Sequence, residues 1–309
     1  MLELPRISVV IPVRNEQGSV EELARQLDHV LVRWYEIIFV DDGSTDDTAK
    51  KLTAMHEPGR IRVIRFRAAF GKTAALMAGF AATRGEIVLT LDGDLQDDPR
   101  EIPRFQDRLA AGFDLVNGWK KTRHDPISKV LPSRIFNYFV RQTTGLKLHD
   151  INCGFKAYRG DLARSLRLYG EMHRFIPAIV ASQGYRIGEI EVAHQPRRHG
   201  KSKYGFQRLF KGFFDLGTVL LLTRFEDRPA HGFGFAALGM FVLGLFSALL
   251  LGPAVAFDRV PFAMLAVMSG ACWVGSVILL AAGWVAEIVL ANGSQADNLP
   301  YYSIAEHLD

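Results

Sequence analysis

The sequence predicts an α/β fold, a parallel sheet covered by helices on both faces, followed by a hairpin of two apolar helices. Three observations predict it. Short β-rich apolar runs alternate with helical stretches in the N-terminal part, two long uncharged runs lie near the C-terminus, and charge is divided unevenly between these regions. The chain has 309 residues, 49% hydrophobic and 23% charged, with 37 Lys and Arg against 33 Asp and Glu. That length suits one large domain or two ordinary ones. The composition excludes disorder, collagen and a disulfide-stapled mini-protein. From Ala230 to Ala291 only Asp258, Arg259 and Glu287 carry a formal charge, and beyond Asn292 only Asp297, Glu306 and Asp309 do. The residues before Ala230 form a basic body. Two cysteines, Cys153 and Cys272, are too few for a disulfide framework and fit a reducing compartment.

The expected strands are Ile7–Val13, Glu36–Val40, Ile61–Phe66 and Glu86–Leu91. The expected helices are Ser19–Val32, Asp46–His56, Lys72–Thr83 and Arg100–Ala111. Near-continuous apolar strands separated by helices argue for a parallel sheet with both faces buried. Ile7–Val13 is short and lacks a small-residue cleavage site, so it reads as a strand and not as a signal peptide. Trp34, Phe39, Phe66 and Phe80 are expected in the core. His149 reads as a neighbour of Asp150 without a role, and His173 is left open between a sugar contact and a helix cap.

Ligands of such sheets bind outside the carboxyl ends of the strands. The first strand ends in Pro12-Val13-Arg14-Asn15-Glu16, the second in Asp41-Asp42-Gly43-Ser44-Thr45-Asp46, the fourth in Asp92-Gly93-Asp94-Leu95-Gln96. Asp46 or Thr45 also suits a simple helix cap. Asp92 and Asp94 do not. Two carboxylates one residue apart repel unless a positive charge lies between them, and a hard divalent cation sharing diphosphate oxygens supplies one. No Gly-x-Gly-x-x-Gly follows the first strand and no Walker lysine motif exists, which removes the dinucleotide and P-loop readings.

The segments VVIPVRNE, FVDDGSTDDT, GKTAALMAGF and LDGDLQDDP together resemble a GT-A glycosyltransferase of family 2. The later DINCGFKAYR and RHGKSKYG, followed by the hairpin, narrow the resemblance to the polyprenyl-phosphate glycosyltransferases, the dolichol-phosphate mannose synthase and GtrB type. It covers nearly the whole chain. It implies a Rossmann-like mixed sheet and an inverting transfer from a nucleotide sugar to a polyprenyl phosphate. It implies a nucleobase pocket at Pro12, Val13, Glu16 and Asp41 with Asp42 nearby, and Lys72 near the nucleotide. Asp92, Asp94 and Gln96 resemble the metal and diphosphate set, for Mg²⁺ or Mn²⁺. Asp150 matches the carboxylate near the reacting sugar, so Asp94 and Asp150 are the catalytic candidates. Lys120, Arg123, Lys129, Ser133 and Arg134 resemble the acceptor-phosphate region. Arg198 and Lys203 lie in a segment similar to the loop that closes over the donor. Unlike processive family members, QPRRHGKSKY has no Arg-Trp pair after its Gln. A UDP-sugar is favoured over GDP-mannose, and no motif points to nucleic acid.

Gly232 to Phe257 and Val260 to Ala286 lack Asp, Glu, Lys and Arg. A bilayer core of roughly 30 Å needs about 20 apolar helical residues, so each run is long enough to span. The alternative, two core helices of a soluble protein, would show a polar face. The expected organisation is a catalytic domain over 1–203, interfacial amphipathic helices over 204–228, a hairpin over 229–291 with spans near 232–257 and 260–287, and a tail over 292–309. The basic body places the catalytic domain on the cytoplasmic face of the cell membrane. Gly239, Gly244, Gly270 and Gly275 offer sites of close helix contact. The acidic tail with Tyr301, Tyr302 and Ile304 offers a dock on a basic neighbour, so a homo-oligomer stays among the partners. Two other classes remain open: a family-2 transferase with a hydroxyl acceptor, and a non-catalytic scaffold of the same fold.

Overall fold

Val, Ile and Phe fill the first strands so densely that both faces of the sheet call for cover. In the computed structural model, which describes residues 6–31, 34–121, 141, 145–195, 217, 225, 228–251, 262–292 and 304–308, Ile7–Val13 and Tyr35–Asp41 are buried along almost their whole length, and in Ile61–Phe66 only Arg65 reaches solvent. Strand β1 (Ile7–Val13) is followed by α1 (Val20–Val30), β2 (Tyr35–Asp41), α2 (Thr48–Met55), β3 (Ile61–Phe66), α3 (Lys72–Ala82) and β4 (Ile87–Thr90). A single 3-10 turn at Pro99–Glu101 leads into α4 (Ile102–Ala110) and β5 (Leu115–Trp119). Then come β6 (Lys156–Arg159), α5 (Gly160–Ser165), a 3-10 turn at Met172–Arg174, α6 (Ile176–Ser182) and β7 (Ile187–Glu191). The chain continues through α7 (Pro229–Leu249), α8 (Phe262–Asn292) and β8 (Ile304–Leu308).

The sheet runs β7-β5-β6-β4-β1-β2-β3-β8. β1 pairs in parallel with β2 and β4, β2 with β3, and β5 with β7; β6 and β8 run antiparallel to their neighbours. The sheet is therefore mixed, as the resemblance implied. Strand order reverses between β1 and β4, the switch point where ligands of open α/β sheets bind. The two strand ends are close there, since a Cβ at Gly93 would lie 2.6 Å from Val13 Cγ1.

Helix α1 is amphipathic, with Val20, Leu23, Ala24 and Leu27 buried and Glu21 and Glu22 in the first turn, where acids favour the helix dipole. Helix α3 is built otherwise. Its small residues let it lie close to β1, and a Cβ at Gly79 would meet Val10 Cγ1 at 2.3 Å. Phe39, Phe66 and Phe80 are buried as expected. Trp34 is not: it is 44% exposed, in a turn with φ of 60°, and its carbonyl accepts the N–H groups of Arg6 and Ile7. The backbone of Trp34 guides β1 while its ring faces outward.

The chain divides into two compact units, Met1–Val219 with Pro300–Asp309, and Leu220–Leu299. In the second, α7 and α8 are long and apolar enough to cross a membrane. Their apolar side chains are largely exposed, Val267 at 71% and Phe235 at 68% among them, which a soluble core helix would not tolerate. Ser269 Oγ donates to the carbonyl of Gly244 and Ser276 Oγ to that of Ala237, both at 2.9 Å. Of the four expected glycine contacts, Gly244 meets Trp273 and Cys272, and Gly275 meets Met240. Gly239 and Gly270 face open space, and Gly283, against Phe233 and Ala230, was not foreseen. The last residues do more than trail: β8 pairs with β3 and so completes the sheet edge. The expected interfacial segment 204–228 lies almost entirely outside the described residues.

Candidate active site

The ends of β1 and β2 are tied into one ridge. Asn15, with φ of 52°, donates its N–H to Ser44 Oγ at 2.9 Å and accepts from the Thr45 N–H at 2.8 Å. The Glu16 N–H reaches Thr48 Oγ1 at 2.8 Å. Gly43 is required in this turn, because its φ is +64° and a Cβ would lie 2.7 Å from the Ala68 carbonyl carbon. Asp46 accepts from the N–H and hydroxyl of Thr48 and from the Gln17 N–H. Burial opposes its charge, but the Thr48 hydrogen bonds hold its carboxyl below the ordinary value. Asp46 thus supports the start of α2, the simpler of the two roles open to it.

Asp41 and Asp42 face different ways. Asp42 accepts the N–H groups of Phe70 at 2.6 Å and Gly71 at 3.0 Å, which fixes the turn that begins α3 and aims Lys72. Burial pushes its carboxyl up despite those amides. Asp41 is fully buried, and its Oδ1 accepts the Ser44 N–H at 3.0 Å. Its Oδ2 accepts no hydrogen bond among the described residues and has the Arg65 guanidinium at 3.8 Å. A buried acceptor atom with an open lone pair suits a ligand N–H.

Across the switch point, the end of β4 carries a charge cluster. Lys72 Nζ donates to Asp92 Oδ1. Lys120 Nζ lies 2.6 Å from Asp97 Oδ1, and Asp97 Oδ2 accepts the Asp92 N–H at 3.4 Å. Burial opposes the charge on Asp92, but the Lys72 and Lys120 ammonium groups hold its carboxyl well below the usual range. Burial likewise opposes the charge on Lys120, and Asp97 holds it above the ordinary lysine value. Asp94 is buried and its Oδ1 accepts the Gln96 N–H at 3.2 Å. Between them Leu95 has φ of 61°, a left-handed conformation that a non-glycine residue holds only when its surroundings impose it. Gln96 is tied by its carbonyl to the Gln195 N–H at 2.9 Å, just before the basic segment that follows.

Asp150 is buried on the loop preceding β6, with its N–H on Glu189 and its carbonyl on Asn117. Lys156, buried at the start of β6, donates to the Cys153 carbonyl, and burial pushes its ammonium down to about 8. Burial also pushes the Cys153 thiol up to about 12, so it is no nucleophile. His173 is buried with Nδ1 2.7 Å from Thr73 Oγ1, beside the start of α3.

The structure therefore gathers Asp92, Asp94, Gln96, Lys72 and Lys120 at one end of β4, with Pro12, Val13, Glu16, Asp41 and Asp42 on the ends of β1 and β2. Lys120, expected with the acceptor-phosphate residues, has an internal partner in Asp97. Arg123, Lys129, Ser133, Arg134, Arg198 and Lys203 lie outside the described residues. Asp97, Asn117, Thr73 and Glu189 were not singled out from sequence. Asp97 was in view within LDGDLQDDP, but nothing in the string tells which carboxylate meets a lysine.

No group of three or more His, Cys, Asp or Glu residues capable of caging a metal occurs among the described residues. Two carboxylates and an amide, Asp92, Asp94 and Gln96, fit a hard cation that takes its remaining ligands from phosphate and water. They do not fit an all-protein metal centre.

Comparison with known proteins agrees with this geometry. Residues 8–167 match the model of glycosyl transferase family 2. The dodecaprenyl-phosphate galacturonate synthase of Rhizobium johnstonii is 38% identical over 98% of this chain and 93% of its own. The undecaprenyl-phosphate 4-deoxy-4-formamido-L-arabinose transferase of Pseudomonas aeruginosa is 38% identical over 87% of this chain and 76% of its own. Among solved structures, glucosyl-3-phosphoglycerate synthase from Mycobacterium tuberculosis, in complex with Mn²⁺, UDP-glucose and glycerol 3-phosphate, matches with a TM-score of 0.53 and 25% identity, over 70% of this chain and 79% of that one. The motifs, the mixed sheet and the carboxylate-bearing strand ends converge with these matches: the chain belongs to glycosyl transferase family 2.

Proposed function

We propose that this chain is a membrane-anchored inverting glycosyltransferase that moves a sugar from a UDP-sugar to a polyprenyl phosphate, giving a polyprenyl-monophosphate sugar. One observation carries the reading. At the switch point, ionised Asp92 and buried Asp94 sit with Lys72 and Lys120, in a chain that parallels a dodecaprenyl-phosphate galacturonate synthase over 98% of its length. Asp41 Oδ2 offers a buried acceptor for a base N–H, and UDP is favoured because the mycobacterial relative binds UDP-glucose.

Donor and acceptor are both anions. Two unit charges about 4 Å apart interact by roughly 4 kcal/mol at an effective dielectric near 20, so positive charge must precede chemistry. Lys72 supplies part of it, on a stem long enough to leave Asp92 for a phosphate oxygen. Asp92, Asp94 and Gln96 would hold a divalent cation, Mg²⁺ or Mn²⁺, which would supply charge neutralisation of the leaving diphosphate. Asp150 needs no role as a base. A phosphate monoester has a second pKa of about 6, so the acceptor is largely a dianion at neutral pH, and Asp150 orients the sugar and steadies the positive charge that develops on it. Arg198 and Lys203 close on the donor, and Arg123, Lys129, Ser133 and Arg134 hold the acceptor phosphate.

The hairpin tethers the chain to the bilayer that carries its lipid substrate. The chain leaves the sheet domain before α7 and returns to it as β8, so two crossings bring the chain back to the face it left. Basic residues in the segment before the hairpin support a cytoplasmic position for that face.

The test is transfer from radiolabelled UDP-galacturonate, UDP-4-deoxy-4-formamido-L-arabinose, UDP-glucose and GDP-mannose to undecaprenyl phosphate in detergent. Label should enter the organic phase from a UDP-sugar, stop in excess EDTA and return with Mn²⁺ or Mg²⁺. Full transfer in EDTA would remove the cation, and transfer from GDP-mannose alone would remove the uridine.

A further inference from the structure

Asp150 does not lie on a strand, so the sheet's own ladder does not position it. Four side chains do. Thr90 on β4 is the register partner of Lys156 on β6, Lys156 of Asn117 on β5, and Asn117 of Glu189 on β7. Directly opposed residues share a face of the sheet. These four therefore form one polar row across four strands, at the edge where the site lies.

Each member of the row holds the main chain of the loop 149–154. Thr90 Oγ1 donates to the Gly154 carbonyl at 2.8 Å, and Lys156 Nζ donates to the Cys153 carbonyl. Asn117 Nδ2 donates to the Asp150 carbonyl at 2.7 Å. Glu189 accepts the N–H groups of His149 at 2.9 Å and Asp150 at 3.2 Å. From β4 to β7 the contacts fall on residues 154, 153, 150 and 149, so the loop lies along the row. Main-chain groups of a largely buried loop need partners, and Thr90, Lys156, Asn117 and Glu189 supply them.

The two ends of the loop meet the two carboxylates of interest. At one end a Cβ on Gly154 would lie 2.6 Å from Asp92 Oδ2, so the loop rests directly on that carboxylate. At the other, Glu189 grips the two amide N–H groups that flank the His149 Cα, and its Oε2 lies 2.7 Å from His149 Nδ1. The His149 ring also stacks on Trp119, with centroids 4.1 Å apart, two residues beyond Asn117 on β5.

We infer that this row fixes the separation of Asp150 from Asp92, with Glu189 and Asn117 as positioning residues for the Asp150 carboxylate. The inference rests on the reading of Asp150 as the carboxylate beside the reacting sugar. Misplacing a reacting group by about 1 Å costs on the order of 10²-fold in rate, whereas the residues proposed for the nucleobase at the ends of β1 and β2 make none of the loop contacts named above.

The experiment is a double-mutant cycle on the full-length enzyme in detergent. Glu189→Ala and Asn117→Ala should each lower kcat by about 10- to 100-fold, with UDP affinity by calorimetry changed less than about 3-fold. Glu189→Gln, which keeps an acceptor for the amides, should recover most of the rate. Should Glu189→Ala fail to fold, Asn117→Ser, with a shorter donor, carries the same comparison. In the Asp150→Asn background, Glu189→Ala should cost less than about 3-fold more. Losses that multiply, or a kcat untouched by both alanine variants, overturn the positioning role while leaving Asp150 in place. An Asp150→Asn enzyme at the wild-type rate overturns the reading of Asp150 and this inference together.

Discussion

At the end of β2 the carboxylates of Asp41, Asp42 and Asp46 accept main-chain N–H groups, whereas at the end of β4 those of Asp92 and Asp97 meet the ammonium groups of Lys72 and Lys120. Both ends look alike in sequence, as acidic pairs leaving a strand. The difference is in what each can exchange. A carboxylate bound to amides holds a turn, and removing it would leave buried N–H groups unpaired. A carboxylate bound to lysine sits in a balanced charge cluster, and the ammonium can swing to an incoming phosphate without unmaking any turn. Turn architecture dominates one end, where Asp41 Oδ2 stays open to a ligand, and paired charge dominates the other.

The largest expected effect tests the β4 end. Asp94→Asn should lower kcat by about 10²-fold or more, since even residues behind a metal ligand cost 10- to 100-fold. Its thermal midpoint should stay close to wild type, because the Gln96 N–H keeps an acceptor oxygen. A variant that loses stability instead of rate would make Asp94 another turn-holding residue and erase the contrast.

A smaller and opposite pattern is expected at β2. Asp42→Asn retains one acceptor for the Phe70 and Gly71 amides but loses charge assistance, for roughly 1–3 kcal/mol of stability. The relief of a buried charge, whose carboxyl burial already pushes up, offsets part of that loss. Thermal melts should show the drop, and kcat should fall only a few-fold as Lys72 loses its aim. A 10²-fold loss of kcat with unchanged melting would place Asp42 in the chemistry.

The strands around this contrast differ in how far they could be read. β1 and β3 match the sequence reading to the residue, because β-branched residues dominate Ile7–Val13 and Ile61–Phe66 even though Ser8, Pro12, Arg62 and Arg65 interrupt them. β5, β6 and β7 were not delineated. Leu115–Trp119, Lys156–Arg159 and Ile187–Glu191 are short and polar where they enter the site, so their periodicity is weak. The same polar positions, Asn117, Lys156 and Glu189, form the row under the Asp150 loop, and register between distant strands leaves no mark on local sequence. β8 was read as part of an acidic tail, since five residues containing Glu306 and His307 show no apolar run. The Asp-x-Asp at β4 was legible because like charges in sequence demand a counter-charge; that Lys72 also pairs with Asp92 was not.

The smallest effect concerns Lys156, which lies beside the β4 cluster but donates its hydrogen bond to a main-chain carbonyl, like the carboxylates of β2 in reverse. Burial lowers its ammonium from 10.5 to about 8. Below that value both folded and unfolded chains carry the proton, and the burial penalty is constant. Between about pH 8 and about pH 10.5 the unfolded chain binds a proton that the folded chain has released, so this group makes stability rise with pH. Lys156→Met removes that slope. Whatever the fixed cost of the lost Cys153 hydrogen bond, the melting temperature of the variant minus that of wild type should grow more negative from about pH 7 to about pH 10. The Cys153 thiol, pushed up by burial, titrates in both proteins and largely drops out of the difference. A difference that stays flat over this window would mean that Lys156 keeps its proton throughout. It would then belong with Lys72 and Lys120 as a permanent cation of the cluster, and the boundary between the two kinds of strand end would have to be drawn beyond β6.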